Sequence, residues 1–172
     1  ETDEPWKRLD AYLRQIWRRA DGRGLHVMAT CMDSGGHHTQ KVYEFAKERL
    51  GRSVWAIKGE SAQGGKRNPV WPTKRPSSKS KASFRPIMIG VNSAKDVVRG
   101  RLHLEPPALG VAGAGYMHFP DDRDIGYFNQ LLAERLVYKV VAGQRFSIWE
   151  PIPGRANEAL DCLVYSYAAL CG

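Results

Sequence analysis

Two carboxylates stand in apolar surroundings: Asp33 closes the run LHVMATCMD, and Asp161 lies inside ALDCLVYSYAAL. An ion taken out of water needs a compensating charge or a full set of hydrogen bonds. No Lys or Arg occurs in the five residues after Asp161, which makes a bound divalent cation a candidate partner. Mg²⁺ and Mn²⁺ are hard ions that prefer oxygen ligands. In phosphodiester cleavage a pair of such ions activates the attacking water and stabilises the leaving oxygen. The expectation is that Asp33 and Asp161 converge across a sheet edge on one cation-sized gap.

Helical spacing puts Glu158, Val164, Tyr165 and Ala168 on the face of Asp161, so Glu158 is a possible accessory acid. The structural alternative is an acid near a helix N-terminus, held by backbone amides or by an Arg such as Arg155. For Asp33, alternation with Leu25, Val27, Ala29 and Cys31 places the acid on a buried sheet face just before the glycine turn Ser34-Gly35-Gly36. Its structural alternative is an Asx turn that orders those three residues.

His37 and His38 follow the glycines, but no HxxxH or CxxC spacing supports zinc, and they are placed at a helix entrance near a substrate or in solvent. Cys162 has no neighbouring base and is read as a core thiol. GESAQGGKR fails the phosphate-loop spacing, because Gly65 stands where Lys is required, so no nucleotide is expected here. No glycine fingerprint of a doubly wound cofactor enzyme follows any strand.

The charge is concentrated. Eight basic residues and one acid lie between Lys58 and Arg85, so nearly all of the net +8 belongs to one segment. Lys58, Lys66, Arg67, Lys74, Arg75, Lys79 and Lys81 alternate there with Pro, Ser, Asn and a Trp, a composition suited to following a phosphate backbone without reading bases. Three cysteines, Cys31, Cys162 and Cys171, fit reduced thiols in a cytoplasmic protein, and no apolar stretch approaches the roughly 20 residues of a membrane span. The chain begins with Glu and is read as part of something longer; 172 residues suffice for one domain.

The elements that must position these groups follow from periodicity. An amphipathic helix is predicted over residues 5–19, a central strand covered on both faces over 25–33, a helix capped by Thr39 and stopped by Gly51, and a strand over 53–57. That order implies a parallel α/β sheet with its sites beyond the carboxyl ends of the strands. Residues 59–83 read as a long basic loop, and 85–91 as a strand before a short helix. A helix is expected within 124–141, a strand at RFSIWEP, and a last helix over 157–170.

The strings MDSGGHHTQKVYEF, SVWAIKG, SAKDVVRGRL, YMHFP, YFNQLLAERLV and PGRANEALDCLVYSYAAL resemble the nuclease domain of lambda-type phage terminase large subunits, which package viral DNA. The resemblance runs along most of the chain. It implies an α/β fold of ribonuclease-H-like (resolvase/integrase-like) type and Mg²⁺- or Mn²⁺-dependent cutting of concatemeric double-stranded DNA. It also implies as partners the small terminase subunit and the portal of the procapsid. By position Asp33 resembles the second catalytic acid and Asp161 the last, both as metal ligands. The family's first catalytic Asp sits on an antiparallel strand ahead of the first helix, and this sequence starts at that helix, so the metal site is expected to be incomplete within it. The alternative from a different class is a non-catalytic DNA-binding or assembly module.

Overall fold

Pro5 presets the first helical turn, and Trp6, Leu9 and Leu13 recur at helical spacing, so α1 forms over Glu4–Leu13. The structure is a computed structural model that describes residues 3–19, 21–60, 65–73, 84–109, 111 and 113–172, with only the backbone of residue 141. The helix expected through residue 19 stops early. Trp17–Arg18 is a short strand, β1, antiparallel to β2 (Gly24–Leu25). Trp17 keeps the helical spacing of Leu13, but Gly22, at φ 82, turns the chain back and the ladder takes Trp17 instead.

The strand expected over 25–33 is correspondingly shorter. Leu25 pairs with Trp17, Met28 is 81% exposed, and only β3 (Thr30–Asp33) is extended sheet. β3 runs parallel to β4 (Val54–Gly59), in register from Thr30 opposite Val54 to Asp33 opposite Ile57. Helix α2 (Thr39–Glu48) connects them, ending through a 3₁₀ turn at Leu50–Arg52 and a left-handed Ser53, not at Gly51. β5 (Ile87–Ile89) completes the sheet in the order β3-β4-β5.

The chain divides into two compact units, Glu1–Lys58 with Pro76–Ile87, and Gly59–Arg75 with Met88–Gly172. In the first, Val42, Phe45 and Ala46 of α2 and Val54 and Ala56 of β4 form a core covered by Trp6, Leu9 and Leu13. Asp10 of α1 fastens that packing: Arg49 Nε (2.7 Å) and Arg52 (2.6 Å) donate to its Oδ1, and Arg14 Nε (3.0 Å) to its Oδ2. The Arg49 hydrogen bond above all holds the Asp10 carboxyl far below the usual range, against the opposing effect of burial.

The second unit comprises α3 (Val91–Leu102), α4 (Ile125–Leu131), the antiparallel hairpin β6 (Glu134–Val141) and β7 (Gln144–Pro151), and α5 (Glu158–Cys171). Ala94, Val98, Leu160 and Val164 form its core between α3 and α5. Here the helix expected within 124–141 divides. α4 ends at Leu131, and Arg135 and Leu136 belong to β6. Leu131, Leu132, Arg135 and Leu136 mimic helical spacing, whereas the two-residue turn Ala142-Gly143, both at positive φ, folds the segment into a hairpin. Among the described residues no helix is long and apolar enough to cross a membrane.

Candidate functional site

Asp33 is the last residue of β3, exposed, at the carboxyl end of the parallel β3–β4 pair. The turn that follows is tied down from several sides. Ser34, 2% exposed, donates both its amide (2.9 Å) and its hydroxyl (2.7 Å) to the Ile57 carbonyl. Thr39 does not cap α2; its hydroxyl bonds the carbonyl oxygens of Ser34 and Gly36, each at 2.8 Å, and His38 is the N-cap residue. The Gly35 amide donates to Asp33 Oδ1 at 3.0 Å, so the Asx turn is present. Asp33 is thus exposed while one of its carboxylate oxygens is tied to its own loop.

His37 and His38 lie exposed in the turn before α2. Cys31, two residues before Asp33, is pushed up to about 12 by burial, so its thiol is a packing group and not a nucleophile.

Asp161 lies in the first turn of α5, partly buried, in the second unit. Its environment was not legible in the sequence. Lys95 of α3 and Glu134 of β6 form a buried ion pair, with Lys95 Nζ at 2.6 and 2.7 Å from the two Glu134 oxygens. Asn157, the N-cap residue of α5, donates its amide to Glu134 Oε1 (3.0 Å) and to Asp161 Oδ2 (3.3 Å). Lys95 Nζ also lies 4.0 Å from Asp161 Oδ1. Asp161 thus has a basic partner, contributed by α3. One signal was available: Lys95 is four residues after Val91 and three before Val98, on the packed stripe of its helix. Glu158, the possible accessory acid, is exposed at the start of α5.

The oxygen donors of Asp33 and Asp161 suit Mg²⁺ or Mn²⁺, which needs further ligands beside either carboxylate. Such an ion takes six or more oxygen ligands. Asp33 offers a single carboxylate, and the Glu134 and Asp161 carboxylates face an ammonium. Among the described residues no group of three or more His, Cys, Asp or Glu could hold a metal ion.

The basic segment is described in part. Lys58 and Lys66 are exposed, while Arg67 is half-buried and committed to a network. It pairs with Asp96 through two nitrogens and donates to the carbonyl oxygens of Gly65 (2.6 Å) and Ser147 (3.0 Å). Trp149 Nε1 holds the same Asp96 at 2.8 Å. Gly65 is required at this contact, because a Cβ there would meet the Ser147 carbonyl at 2.4 Å. Lys74, Arg75, Lys79 and Lys81 lie outside the described residues.

Comparison with known proteins connects these observations. The family model described as terminase large subunit gpA, endonuclease domain, matches residues 1–172. The terminase large subunit of Enterobacteria phage P21 is 33% identical over 173 residues, covering 99% of this chain and 26% of that protein. That of Escherichia phage lambda is 34% identical over 173 residues, with the same coverage. The chain therefore spans about a quarter of the length of these curated relatives. No solved structure matches it.

Proposed function

The chain belongs to the endonuclease-domain family of gpA-type terminase large subunits, and from that premise we propose that it cuts double-stranded, concatemeric DNA during viral genome packaging. The family match over the whole chain carries this reading. The mixed α/β architecture, with an acid at the carboxyl end of a parallel strand pair, supports it. A ribonuclease-H-like fold for residues 1–172 as one nuclease domain is part of the proposal, as is action alongside a small terminase subunit and a portal.

Asp33 and Asp161 are proposed as catalytic acids, one in each unit. What this chain's residues do can be stated for each. The Asx turn ties Asp33 at the sheet end, and Asn157 and Lys95 hold the Asp161 carboxylate. Dependence on Mg²⁺ or Mn²⁺ belongs to the same reading, with the remaining ligands supplied by residues other than those described. Exposed Lys58 and Lys66, with the basic segment after them, would neutralise phosphates, so binding weakens as salt rises.

The test is supercoiled-plasmid cutting with Mg²⁺ or Mn²⁺ by the full-length protein that carries this chain, beside Asp33→Asn and Asp161→Asn. Loss of cutting in both variants is expected. Cutting by both at the wild-type rate overturns the assignment. Two observations favour a second reading, a DNA-binding or assembly module: the Asx turn of Asp33 and the ammonium beside Asp161 are also what structural acids show. That reading predicts salt-sensitive DNA binding with no divalent-ion uptake lost in Asp161→Ala, which calorimetry with Mn²⁺ measures.

A further inference from the structure

The Lys95–Glu134 pair is an expensive thing to build into a core. Both side chains are almost fully buried, and the desolvation of two ions offsets most of their attraction, so apolar residues of similar volume would give comparable stability. The pair does not end on itself. Asn157 bonds Glu134 with the same amide nitrogen that reaches Asp161, and the Lys95 ammonium faces Asp161 from the other side at 4.0 Å. Three elements, α3, β6 and the start of α5, thereby bear on one carboxylate. The backbone reinforces the arrangement where α5 begins, since the Ala159 amide donates to Gln130 Oε1 at 3.1 Å and so fixes the first turn of the helix.

We propose that Lys95, Glu134 and Asn157 are positioning residues for Asp161. The buried pair holds the Asn157 amide, and that amide with the ammonium sets the rotamer of the carboxylate. The proposal rests on Asp161 being a catalytic acid. It goes further by assigning a role to three residues that act through Asp161. Groups that orient a metal-binding side chain from behind typically change metal affinity or activity about 10–100-fold when removed.

The experiment compares variants of the full-length protein with wild type, scored by kcat and KM for plasmid cutting, by the Mn²⁺ concentration at half-maximal rate, and by thermal midpoint. Asn157→Ser keeps a cap-forming side chain but removes the amide. Expected is a fall in kcat of about tenfold or more with KM for DNA unchanged and a raised Mn²⁺ requirement. The joint replacement Lys95→Met with Glu134→Leu is expected to keep the thermal midpoint and lose kcat similarly. Wild-type kcat in both variants while Asp161→Asn is inactive overturns the positioning role and leaves the catalytic reading standing. A loss of kcat that tracks the thermal midpoint alone also overturns it. A full-length wild type that does not cut, or Asp161→Asn that cuts like wild type, overturns the catalytic reading and the proposal with it.

Discussion

Asp33 and Asp161 were read from the same signal, an acid in an apolar run, and the structure gives them opposite environments. Asp33 is exposed and held by a residue two positions away, the Gly35 amide. Asp161 is partly buried and held through Asn157, Glu134 and Lys95, the last two from elements distant in sequence. The first arrangement costs little to make and little to lose. The second places three ionisable groups in or beside a core, where removing one leaves the others uncompensated. An apolar flank therefore does not measure how buried a side chain will be; it reports only which element the residue sits on.

That contrast can be broken experimentally, and the largest effect falls in the second unit. Glu134→Ala or Lys95→Ala, each leaving its partner's charge buried, is expected to destabilise by about 3–5 kcal/mol, read from urea unfolding followed by Trp fluorescence. Equal midpoints for wild type and both variants would show the pair to be solvated.

Next in size is the first unit's own charged cluster. Asp10→Asn keeps the shape but removes the charge that Arg49, Arg52 and Arg14 share, and a loss of about 1.5–3 kcal/mol is expected in the same assay. Because the carboxyl of Asp10 is depressed in the folded state, its stabilisation is complete above the unfolded value of about 4 and declines as pH falls below it. Thermal midpoints measured from pH 6 down to pH 2 should fall more steeply for wild type than for Asp10→Asn. Parallel curves would count against the clamp.

Two smaller effects sharpen the picture at Asp33. Ser34→Ala deletes the hydroxyl bond to Ile57 but keeps the backbone one, for an expected loss of about 1 kcal/mol in thermal melts. Asp33→Asn retains the oxygen that accepts from Gly35, and Asn forms the same turn, so a stability change within about 0.5 kcal/mol is expected. A larger loss would mean that the charge of Asp33 supports the fold.

Sequence periodicity reached the elements whose signals are local. α2, the pairing segment around β4, β7 and α5 stand near their expected places, with ends shifted by a few residues. It failed where two periods compete over a short span. Trp17 continues the spacing of α1 but enters a ladder, and Leu136 continues that of α4 but belongs to a strand, because a left-handed turn residue downstream overrides the helical pattern. At the acids the same division holds. The Asx turn was foreseeable, since Asp, Ser and Gly are adjacent, but the Lys95–Glu134–Asn157 cluster was not.

The sequence by itself determined the family, the parallel pair with Asp33 at its carboxyl end, and the segment that carries the positive charge, because motif spacing, strand alternation and composition are properties of neighbouring residues. Only the tertiary structure decided which charges face each other. Lys95, Glu134 and Asp161 are separated by dozens of residues and meet because α3 and α5 pack their apolar faces together and β6 starts beside them. Ion pairing in a core depends on that packing, and no one-dimensional pattern records it.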